Sequence, residues 1–294
     1  MPHVQQLIDL LRLEPIGVNR FRGHCEDLGF RNLFGGQVLG QSLSAASQTL
    51  PEGEWAPHSL HAYFLRPGNV VDNIEFEVDC VRDGRSFAMR QITASQKGKA
   101  ILTMMCSFQH PEEGFEHQDK MPEVKGPEGV MSQLELSRLF KDKFPEKVRD
   151  IYTADKPIEI RAIDPINIFA PKKQDPIKHV WMKADAKLAD DPMLHAYVLA
   201  YATDFNLIGT AMMPHGVSFA QKDMQVASLD HSIWFHRPVK VDDWLLYSLD
   251  SPSASSGRGF CRGQLFNQQG ELVASVAQEG LIRQVDLSDK KSGK

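Results

Sequence analysis

The chain has 294 residues and a formal net charge of −5, and hydrophobic and charged residues make up 42% and 24% of it. This length can bury a large core, as one large domain or as two smaller ones. The negative charge gives no general affinity for nucleic acid or for an anionic membrane surface. No apolar run approaches the roughly 18 residues of a transmembrane helix. We therefore expect no nucleic-acid partner and no membrane insertion.

The cysteines and the two termini point to the cytoplasm. The four cysteines have neither CxxC nor zinc-ligand spacing, so we interpret them as reduced, small apolar core residues. They are Cys25, Cys80, Cys106 and Cys261. The first six residues lack the basic region and apolar run of a secretory signal. Residues 291–294 do not spell the Ser-Lys-Leu peroxisomal address. We expect a cytoplasmic protein, and no metal or cofactor is implied.

The sequence pattern of the first half predicts two helices and five strands. The second helix carries many small residues, which suit a helix wrapped closely by other elements. Gly35 and Gly36 at its start leave the free N–H groups of the first turn open to a ligand or another backbone. Apolar runs between turn residues indicate the strands. The helices span 4–13 and 33–46, and the strands span 19–23, 59–65, 74–82, 86–95 and 100–108.

A charged segment with Pro and Gly, residues 111–129, predicts a surface linker, with a short helix at 130–140 embedded after it. The second half again predicts strands and one buried helix. That helix, 193–205, follows Asp190-Asp191-Pro192, which is typical of a helix start. It is apolar nearly all round, so it should be buried. The predicted strands are 157–164, 180–184, 226–238, 244–251, 259–267 and 271–278.

The stretch 226–238 concentrates serine, aspartate and histidine and suggests a catalytic triad. As one strand closed by Arg237-Pro238, it alternates its side chains between two faces. Ser228 and Asp230 then share one face, and His231 takes the other. We therefore predict that these three residues do not form a triad.

The two halves resemble each other, which indicates a fold built twice. Tyr63-Phe64-x-Arg66-Pro67 matches Trp234-Phe235-x-Arg237-Pro238, and the order of elements recurs around each copy. We predict an N-terminal repeat at 1–112, a linker with a short helix at 113–150, a C-terminal repeat carrying the catalytic residues at 151–288, and a disordered tail at 289–294.

Four histidines crowd the two equivalent strands: His58, His61, His231 and His236. A metal site is the alternative to a hydrogen-bonding role. However, the histidines divide between strand faces, and no acidic cluster accompanies them. We therefore predict hydrogen bonding in the core or at a subunit interface, without a metal ion.

Several motifs together are similar to those of the acyl-CoA thioesterase II family. The resemblance extends roughly from residue 5 to residue 284. It implies an α+β double hotdog, in which two antiparallel sheets, each wrapped around a long buried helix, join edge to edge as an internal pseudo-dimer. The motifs include Phe34-Gly35-Gly36-Gln37-Val38-x-Gly40-Gln41, Tyr63-Phe64-Leu65-Arg66-Pro67-Gly68 and Asp230-His231-Ser232-x-Trp234-Phe235-His236-Arg237-Pro238.

The same resemblance implies hydrolysis of fatty acyl-CoA to free fatty acid and CoA, by an enzyme that forms homodimers or homotetramers. The matching catalytic positions are Asp204 on the second buried helix, Ser228 on the following strand and Gln278 on the last strand. Asp204 would act as general base on a water that Ser228 and Gln278 hold by hydrogen bonds. The chain lacks a Gly-x-Ser-x-Gly nucleophile elbow, so direct attack by water is favoured over an acyl-enzyme.

The oxyanion that develops on the thioester carbonyl needs hydrogen-bond donors. Free N–H groups at the start of the first buried helix are the candidates, around Gly35, Gly36 and Gln37. We expect these residues to contact the substrate.

Two alternatives remain at this point. A hotdog enoyl-CoA hydratase carries Asp-x-Asn-Pro-x-His, and Asp204-Phe205-Asn206 begins that pattern. Its histidine position holds Gly209, which cannot transfer a proton. A non-catalytic acyl-CoA-binding protein is the second alternative, and the retained Asp204, Ser228 and Gln278 argue against it.

Overall fold

One antiparallel sheet of thirteen strands dominates the part of the chain that the computed structural model describes, residues 3–286. The predicted tail at 289–294 lies outside this part. The strands of the first half are β1 (Glu14–Gly17), β2 (Arg20–Gly23), β3 (Ala56–Phe64), β4 (Ile74–Asp83), β5 (Phe87–Gln96) and β6 (Lys99–Gln109). Those of the second half are β7 (Ile158–Ala162), β8 (Ile177–Ala184), β9 (Met224–Ser228), β10 (Asp230–Phe235), β11 (Leu245–Ser255), β12 (Arg258–Asn267) and β13 (Leu272–Gln284).

The strand order is nearly the same on both sides of a central pair. It runs β1-β2-β4-β5-β6-β3-β10-β13-β12-β11-β8-β7, with β9 beside β13. β3 and β10 lie antiparallel at the centre, where Ser232 is opposite His61. Outward from this pair, β6, β5 and β4 have their counterparts in β13, β12 and β11. The fold is therefore a mixed α and β structure whose two halves share one continuous sheet.

Six α-helices accompany the sheet in the described residues. They are α1 (His3–Leu11), α2 (Gly35–Ser47), α3 (Gln133–Leu139), α4 (Glu146–Thr153), α5 (Pro192–Ala202) and α6 (Leu207–Thr210). The prediction of two buried helices is confirmed by α2 and α5. The short helix predicted at 130–140 is α3, whereas α4 was not predicted. None of the described helices is long and apolar enough to cross a membrane.

The helices α2 and α5 contact each other along glycine positions of α2. A Cβ atom at Gly36 would lie 2.3 Å from the carbonyl oxygen of Tyr201, and one at Gly40 would lie 2.9 Å from that of Tyr197. Only glycine permits backbones to approach this closely. This contact brings the first turn of α2 to the end of α5, where the candidate site lies.

Residues 110–132 contain neither helix nor strand and cross the outer face of the second half. Trp181 on that face donates its indole N–H to the carbonyl of Lys125 at 2.7 Å. Met121 and Val124 of the linker pack against a small second core of Trp181, Leu246, Phe266 and Leu272. The predicted surface linker is thus part of the packing of the second half.

The prediction of one uninterrupted strand over 226–238 is wrong. Ser228 lies opposite Gly280 and Ser232 opposite Ala277, so three residues on one strand face two on β13. This is a β-bulge, which reverses the alternation of side chains between the two faces. Ser228 and His231, an odd number of residues apart, therefore point to the same side of the sheet.

The second buried helix ends earlier than predicted. α5 stops at Ala202, Thr203 caps it, and Asn206 adopts a left-handed conformation with φ of 67°. Left-handed backbone cannot continue a right-handed helix. Asp204 consequently lies in the turn between α5 and α6, not on the helix.

Candidate active site

Asp204 is a buried carboxylate in the turn that follows α5. Its side chain is 7% exposed, and it faces the first turn of α2. A Cβ atom at Gly35 would lie 2.8 Å from Asp204 Oδ2. The glycine pair at the start of α2 therefore leaves room for the carboxylate, which occupies the positive end of the helix dipole.

Both oxygens of Asp204 accept hydrogen bonds. The backbone N–H of Gly36 donates to Oδ2 at 2.8 Å, and the side-chain amide of Gln278 donates to Oδ1 at 2.9 Å. The residue before α2, Phe34, makes no capping hydrogen bond with its side chain. Asp204, remote in sequence, takes up one of the free N–H groups that every helix start leaves.

Gln278 joins the carboxylate to Ser228. Its amide nitrogen donates one hydrogen to Asp204 Oδ1 and the other to Ser228 Oγ, each at 2.9 Å. Gln278 is fully buried, and its Oε1 atom has no hydrogen-bond partner within residues 3–286. A buried acceptor without a partner is costly, so this oxygen is suited to receive a proton donor such as water. The structure thus brings Asp204, Ser228 and Gln278 together.

Burial raises the pKa of Asp204, and hydrogen bonds from Gln278, Gly36 and Ser228 oppose that rise. Gly36 and Gln278 donate to two of the roughly four acceptor positions of the carboxylate, which leaves room for a further donor. A carboxylate with a raised pKa is also a stronger base than one exposed to water.

The two other residues predicted at the helix start have different surroundings from Gly36. Gln37 is fully buried and faces away from Asp204: its amide nitrogen donates to the carbonyl of His24 at 2.9 Å, and its amide oxygen accepts from the N–H of Glu26 at 3.1 Å. The Gln37 side chain therefore ties the loop before α2 to the helix. Gly35 contacts Asp204 and the ring of Phe64.

His231 is a further member of the site that the sequence pattern did not indicate. It is completely buried, and its Nδ1 lies 3.9 Å from Asp204 Oδ1. Its Nε2 lies 3.1 Å from the hydroxyl of Thr203. Burial lowers the pKa of His231 to about 3, so the ring is neutral near pH 7. Strict alternation along an uninterrupted strand would place the His231 side chain on the opposite face of the sheet from Ser228. The bulge instead places it beside Asp204.

Asp230, which lies between Ser228 and His231 in sequence, does not hydrogen-bond to Asp204 or Gln278. Its carboxylate accepts the N–H of Glu279 at 2.8 Å and so fills the gap that the bulge leaves in the strand ladder. A Ser-Asp-His triad of Ser228, Asp230 and His231 is therefore not formed, as predicted. The prediction that His231 lies on the opposite strand face from Ser228 was wrong.

The other three histidines bind serine hydroxyls, which confirms the predicted hydrogen bonding, but His61 and His236 are exposed and so do not lie in the core. His58 and His236 contact Ser107 and Ser275 at 2.8 Å, and His61 contacts Ser232 at 3.1 Å. Among residues 3–286, no group of three or more His, Cys, Asp and Glu side chains is arranged to hold a metal ion.

An aromatic cluster borders the carboxylate. The ring of Phe34 stacks on Phe205 at 4.4 Å and meets Tyr201 edge-on at 5.2 Å, and Phe30 lies 5.6 Å from Phe34. Phe34 directly precedes α2, and Phe205 directly follows Asp204. An apolar wall beside a buried carboxylate is suited to bind the hydrocarbon part of a ligand.

Comparisons with known proteins agree along the whole chain. A family model described as acyl-CoA thioesterase matches residues 148–281, and one described as acyl-CoA thioesterase N-terminal domain matches residues 26–109. The chain is 42% identical over 280 residues to acyl-CoA thioesterase 2 of Haemophilus influenzae, which covers 95% of this chain and 98% of that protein.

Solved structures give the same result. The crystal structure of the acyl-CoA thioesterase II TesB2 from Mycobacterium marinum is similar at a TM-score of 0.77 and 36% identity, over 96% of this chain and 98% of that one. A protein from Alicyclobacillus acidocaldarius described as having a hot dog fold is similar at a TM-score of 0.75 and 20% identity, over 95% and 98% of the two chains.

Proposed function

The chain belongs to the acyl-CoA thioesterase II family and hydrolyses fatty acyl-CoA thioesters, and we propose that Asp204, Ser228 and Gln278 hold the attacking water. The observation that carries the proposal is the Gln278 amide, which donates to Asp204 and to Ser228 at 2.9 Å. It uses both amide hydrogens and leaves the Gln278 carbonyl oxygen without a partner in the described residues.

The water donates one hydrogen to Asp204 and the other to Gln278 Oε1. Asp204 takes the first proton as the water oxygen attacks the thioester carbon, which gives a tetrahedral oxyanion. When the oxyanion collapses, the carbon–sulfur bond breaks and CoA leaves as a thiolate. The proton held by Asp204 returns to the thiolate or to solvent, and the fatty acid is released. No covalent bond to the protein forms.

The oxyanion is assigned to backbone N–H groups of the first turn of α2. Gly36 donates to Asp204, so its N–H supports the base. Gly35 and Gln37 supply the neighbouring N–H groups, and the first four N–H groups of a helix have no partner within the helix. Such donors at a helix start stabilise a developing negative charge without reorganising.

The acyl chain is assigned to the wall formed by Phe30, Phe34, Tyr201 and Phe205. Phe34 and Phe205 adjoin the elements that supply the N–H groups and the base, so a chain lying on them would present its carbonyl to both. Free fatty acid and CoA would leave along the same aromatic wall, because Phe30, which is 39% exposed, lies on its solvent side.

At the level of the whole molecule, the chain is proposed to be a double hotdog that works in the cytoplasm as a homodimer or homotetramer. The mirrored strand order around β3 and β10 supports the double hotdog, with repeats at 1–112 and 151–288. All four cysteines are free, which fits a reducing compartment. Size-exclusion chromatography with light scattering measures the number of subunits directly.

Release of free thiol from palmitoyl-CoA, followed with a thiol reagent, tests the assignment of the base. Asp204→Asn removes the base, so we expect kcat to fall by about 10²–10⁴. The matched control is Asp190→Asn, because Asp190 is an exposed aspartate beside α5 whose only ion pair in the described residues is with Lys240. Equal rates for the wild type and Asp204→Asn would refute the assignment.

A further inference from the structure

The contacts of His231 are the basis for assigning the proton of its neutral ring to one of the two nitrogens. The Thr203 hydroxyl donates to the carbonyl of Ala200 at 3.2 Å and lies 3.1 Å from His231 Nε2. A hydroxyl has one proton. We assign that of Thr203 to the Ala200 carbonyl, so that its oxygen accepts from Nε2–H. In the neutral ring the other nitrogen, Nδ1, is then without a proton.

That unprotonated nitrogen faces the active-site carboxylate. Nδ1 lies 3.9 Å from Asp204 Oδ1, too far for a direct hydrogen bond, and it has no hydrogen-bond partner in the described chain. The side chain is 0% exposed, so bulk water does not screen the interaction. A nitrogen lone pair carries partial negative charge, which repels a carboxylate and favours its protonated form.

We propose that His231 is a positioning residue that makes Asp204 a stronger base by holding a bare imidazole nitrogen against the carboxylate. Thr203 fixes the tautomer that does so. The inference rests on the proposed role of Asp204 as general base. The protein would in this way strengthen its base without placing a second charge in the site.

The titratable side chains next to Asp204, or to the turn that carries it, include one on β8, Lys178, which donates to the side chain of Asn206 at 2.6 Å. Burial lowers the pKa of Lys178 to about 8. β10 contributes His231, and β11 contributes Tyr247, whose hydroxyl donates to the carbonyl of Thr203 at 3.0 Å. Burial is the largest cause of a Tyr247 pKa well above its usual value, so this group stays neutral. α2 and β13 contribute the uncharged N–H of Gly36 and amide of Gln278. Lys178 and Tyr247 are unchanged in variants of Thr203 and His231, so a shift of the pH profile in those variants reports on the His231 ring.

Two variants remove the bare nitrogen in different ways. Thr203→Val keeps the shape but deletes the acceptor for Nε2–H, so the proton moves to Nδ1, which then attracts the carboxylate. His231→Leu replaces the ring with an apolar side chain. In both, the pKa of Asp204 falls, and the acid limb of kcat/KM for palmitoyl-CoA hydrolysis moves to lower pH by about half to one unit. Below that limb Asp204 is protonated and inactive.

Tyr247→Phe is the matched control. It removes a buried hydrogen bond to the same turn at Thr203 but leaves the pair of His231 and Asp204 intact. If the conformation of the turn alone determined the pH profile of kcat/KM, Tyr247→Phe would shift that profile as well. We expect Tyr247→Phe to lower stability and to leave the acid limb in place.

A second measurement separates this inference from the proposed function. Infrared difference spectra between the wild type and Asp204→Asn identify the protonated carboxyl of Asp204, and its titration can be followed in Thr203→Val without any substrate. A lower titration midpoint in Thr203→Val supports the inference, even if Asp204→Asn still hydrolyses palmitoyl-CoA and the role of base fails. An unchanged midpoint in Thr203→Val overturns it, whether or not His231→Leu folds.

Discussion

At the scale of single residues, Gln278 decides how Asp204 can work. Its amide nitrogen has two hydrogens, and both are used, on Asp204 and on Ser228. Its carbonyl oxygen accepts no hydrogen bond from the described chain and is therefore free to accept one from a water. Glutamine supplies a donor pair and an acceptor at once, without charge. Glutamate, of nearly the same shape, would supply acceptors only.

We therefore expect Gln278→Glu to shift the pH dependence in the opposite direction from Thr203→Val. A second carboxyl group within hydrogen-bond distance of Asp204 raises the pKa of the pair, because two adjacent buried carboxylates cannot both ionise. Activity needs the ionised form of Asp204. On acidification, Gln278→Glu therefore loses its activity at a higher pH than the wild type does. The acid limb of kcat/KM should move up by about one unit or more, and the rate at pH 7 should fall about 100-fold.

The surface of the second half offers a control for this substitution. Gln264 on β12 also donates to an aspartate, Asp119, at 2.6 Å, but this pair is exposed. Water screens the added charge in Gln264→Glu, so the profile of hydrolysis should coincide with that of the wild type. An unmoved acid limb in Gln278→Glu would mean that Gln278 does not contact the base during the reaction.

The residues of the site were only partly predictable. Family resemblance pointed to Asp204, Ser228 and Gln278, and the structure brings the three together. His231 was missed because period-two alternation assumes an uninterrupted strand. The bulge at residues 229–231 depends on pairing with β13, which lies about fifty positions further along and leaves no local mark in the sequence.

At the scale of elements, the site depends on how closely α2 approaches α5. The N–H of Gly36 reaches Asp204 only because no side chain separates the first turn of α2 from the end of α5. Small residues in α2 predicted a closely wrapped helix, and all residues of α2 after Gly35 are buried. Which backbone they meet could not be predicted, since that contact joins positions some 165 residues apart.

Gly36→Ala should therefore reduce both stability and activity. The new methyl group would lie 2.3 Å from the Tyr201 carbonyl oxygen and 2.6 Å from the Phe34 ring, so the helices must separate. Overpacking of this kind costs about 1–3 kcal/mol of unfolding free energy. Separation also lengthens the hydrogen bond to Asp204 and lowers kcat. Chemical denaturation and thiol release measure the two effects.

Gly209→Ala is the matched control for this glycine. Gly209 lies in α6, next to the same turn, and a Cβ atom there would meet nothing within 4 Å. Alanine favours a helix over glycine by up to about 1 kcal/mol. We expect Gly209→Ala to be neutral or stabilising, and equal destabilisation by the two substitutions would contradict the packing explanation.

The C-terminal boundary of α5 could not be predicted from the local sequence pattern. Apolar content predicted α5 to continue to residue 205, because Tyr201, Ala202 and Phe205 fit a buried helix. The chain instead leaves the helix at Thr203, and Lys178 from β8 donates to the side chain of the left-handed Asn206 at 2.6 Å. This tertiary bond helps to fix the turn that carries Asp204, and no propensity within the segment reveals it.

At the scale of the whole molecule, the two halves share their architecture but not their chemistry. Thr49 and Asp204 both stand two residues beyond the end of a buried helix, α2 and α5 respectively. Thr49 accepts a hydrogen bond from Arg90 Nε at 2.7 Å, and Arg90 is buried at 2% exposure and paired with Asp83. The first half therefore has a buried cation and a hydroxyl where the second has its carboxylate.

The strand positions differ in the same way. Alignment of Tyr63 with Trp234 places Pro57 at the position of Ser228, and β3 also has a register shift there, between Pro57 and Ser59. Cys106 on β6 stands where Gln278 stands on β13. It is buried, and burial raises the pKa of its thiol, so it offers neither the amide donors nor a reactive thiolate. The equivalent region of the first half therefore lacks the groups that are proposed to hold the water in the second half.

From this asymmetry we expect one catalytic site per chain. In Asp204→Asn, calorimetric titration with a non-hydrolysable palmitoyl-CoA thioether should saturate at one molecule per chain. The ligand should bind between the start of α2 and the end of α5, where the N–H groups of the helix start and the aromatic wall adjoin. Phe34→Ala, which removes the ring stacked on Phe205 at 4.4 Å, should weaken this binding. Two molecules per chain, or unchanged affinity in Phe34→Ala, would place the acyl chain elsewhere in the fold.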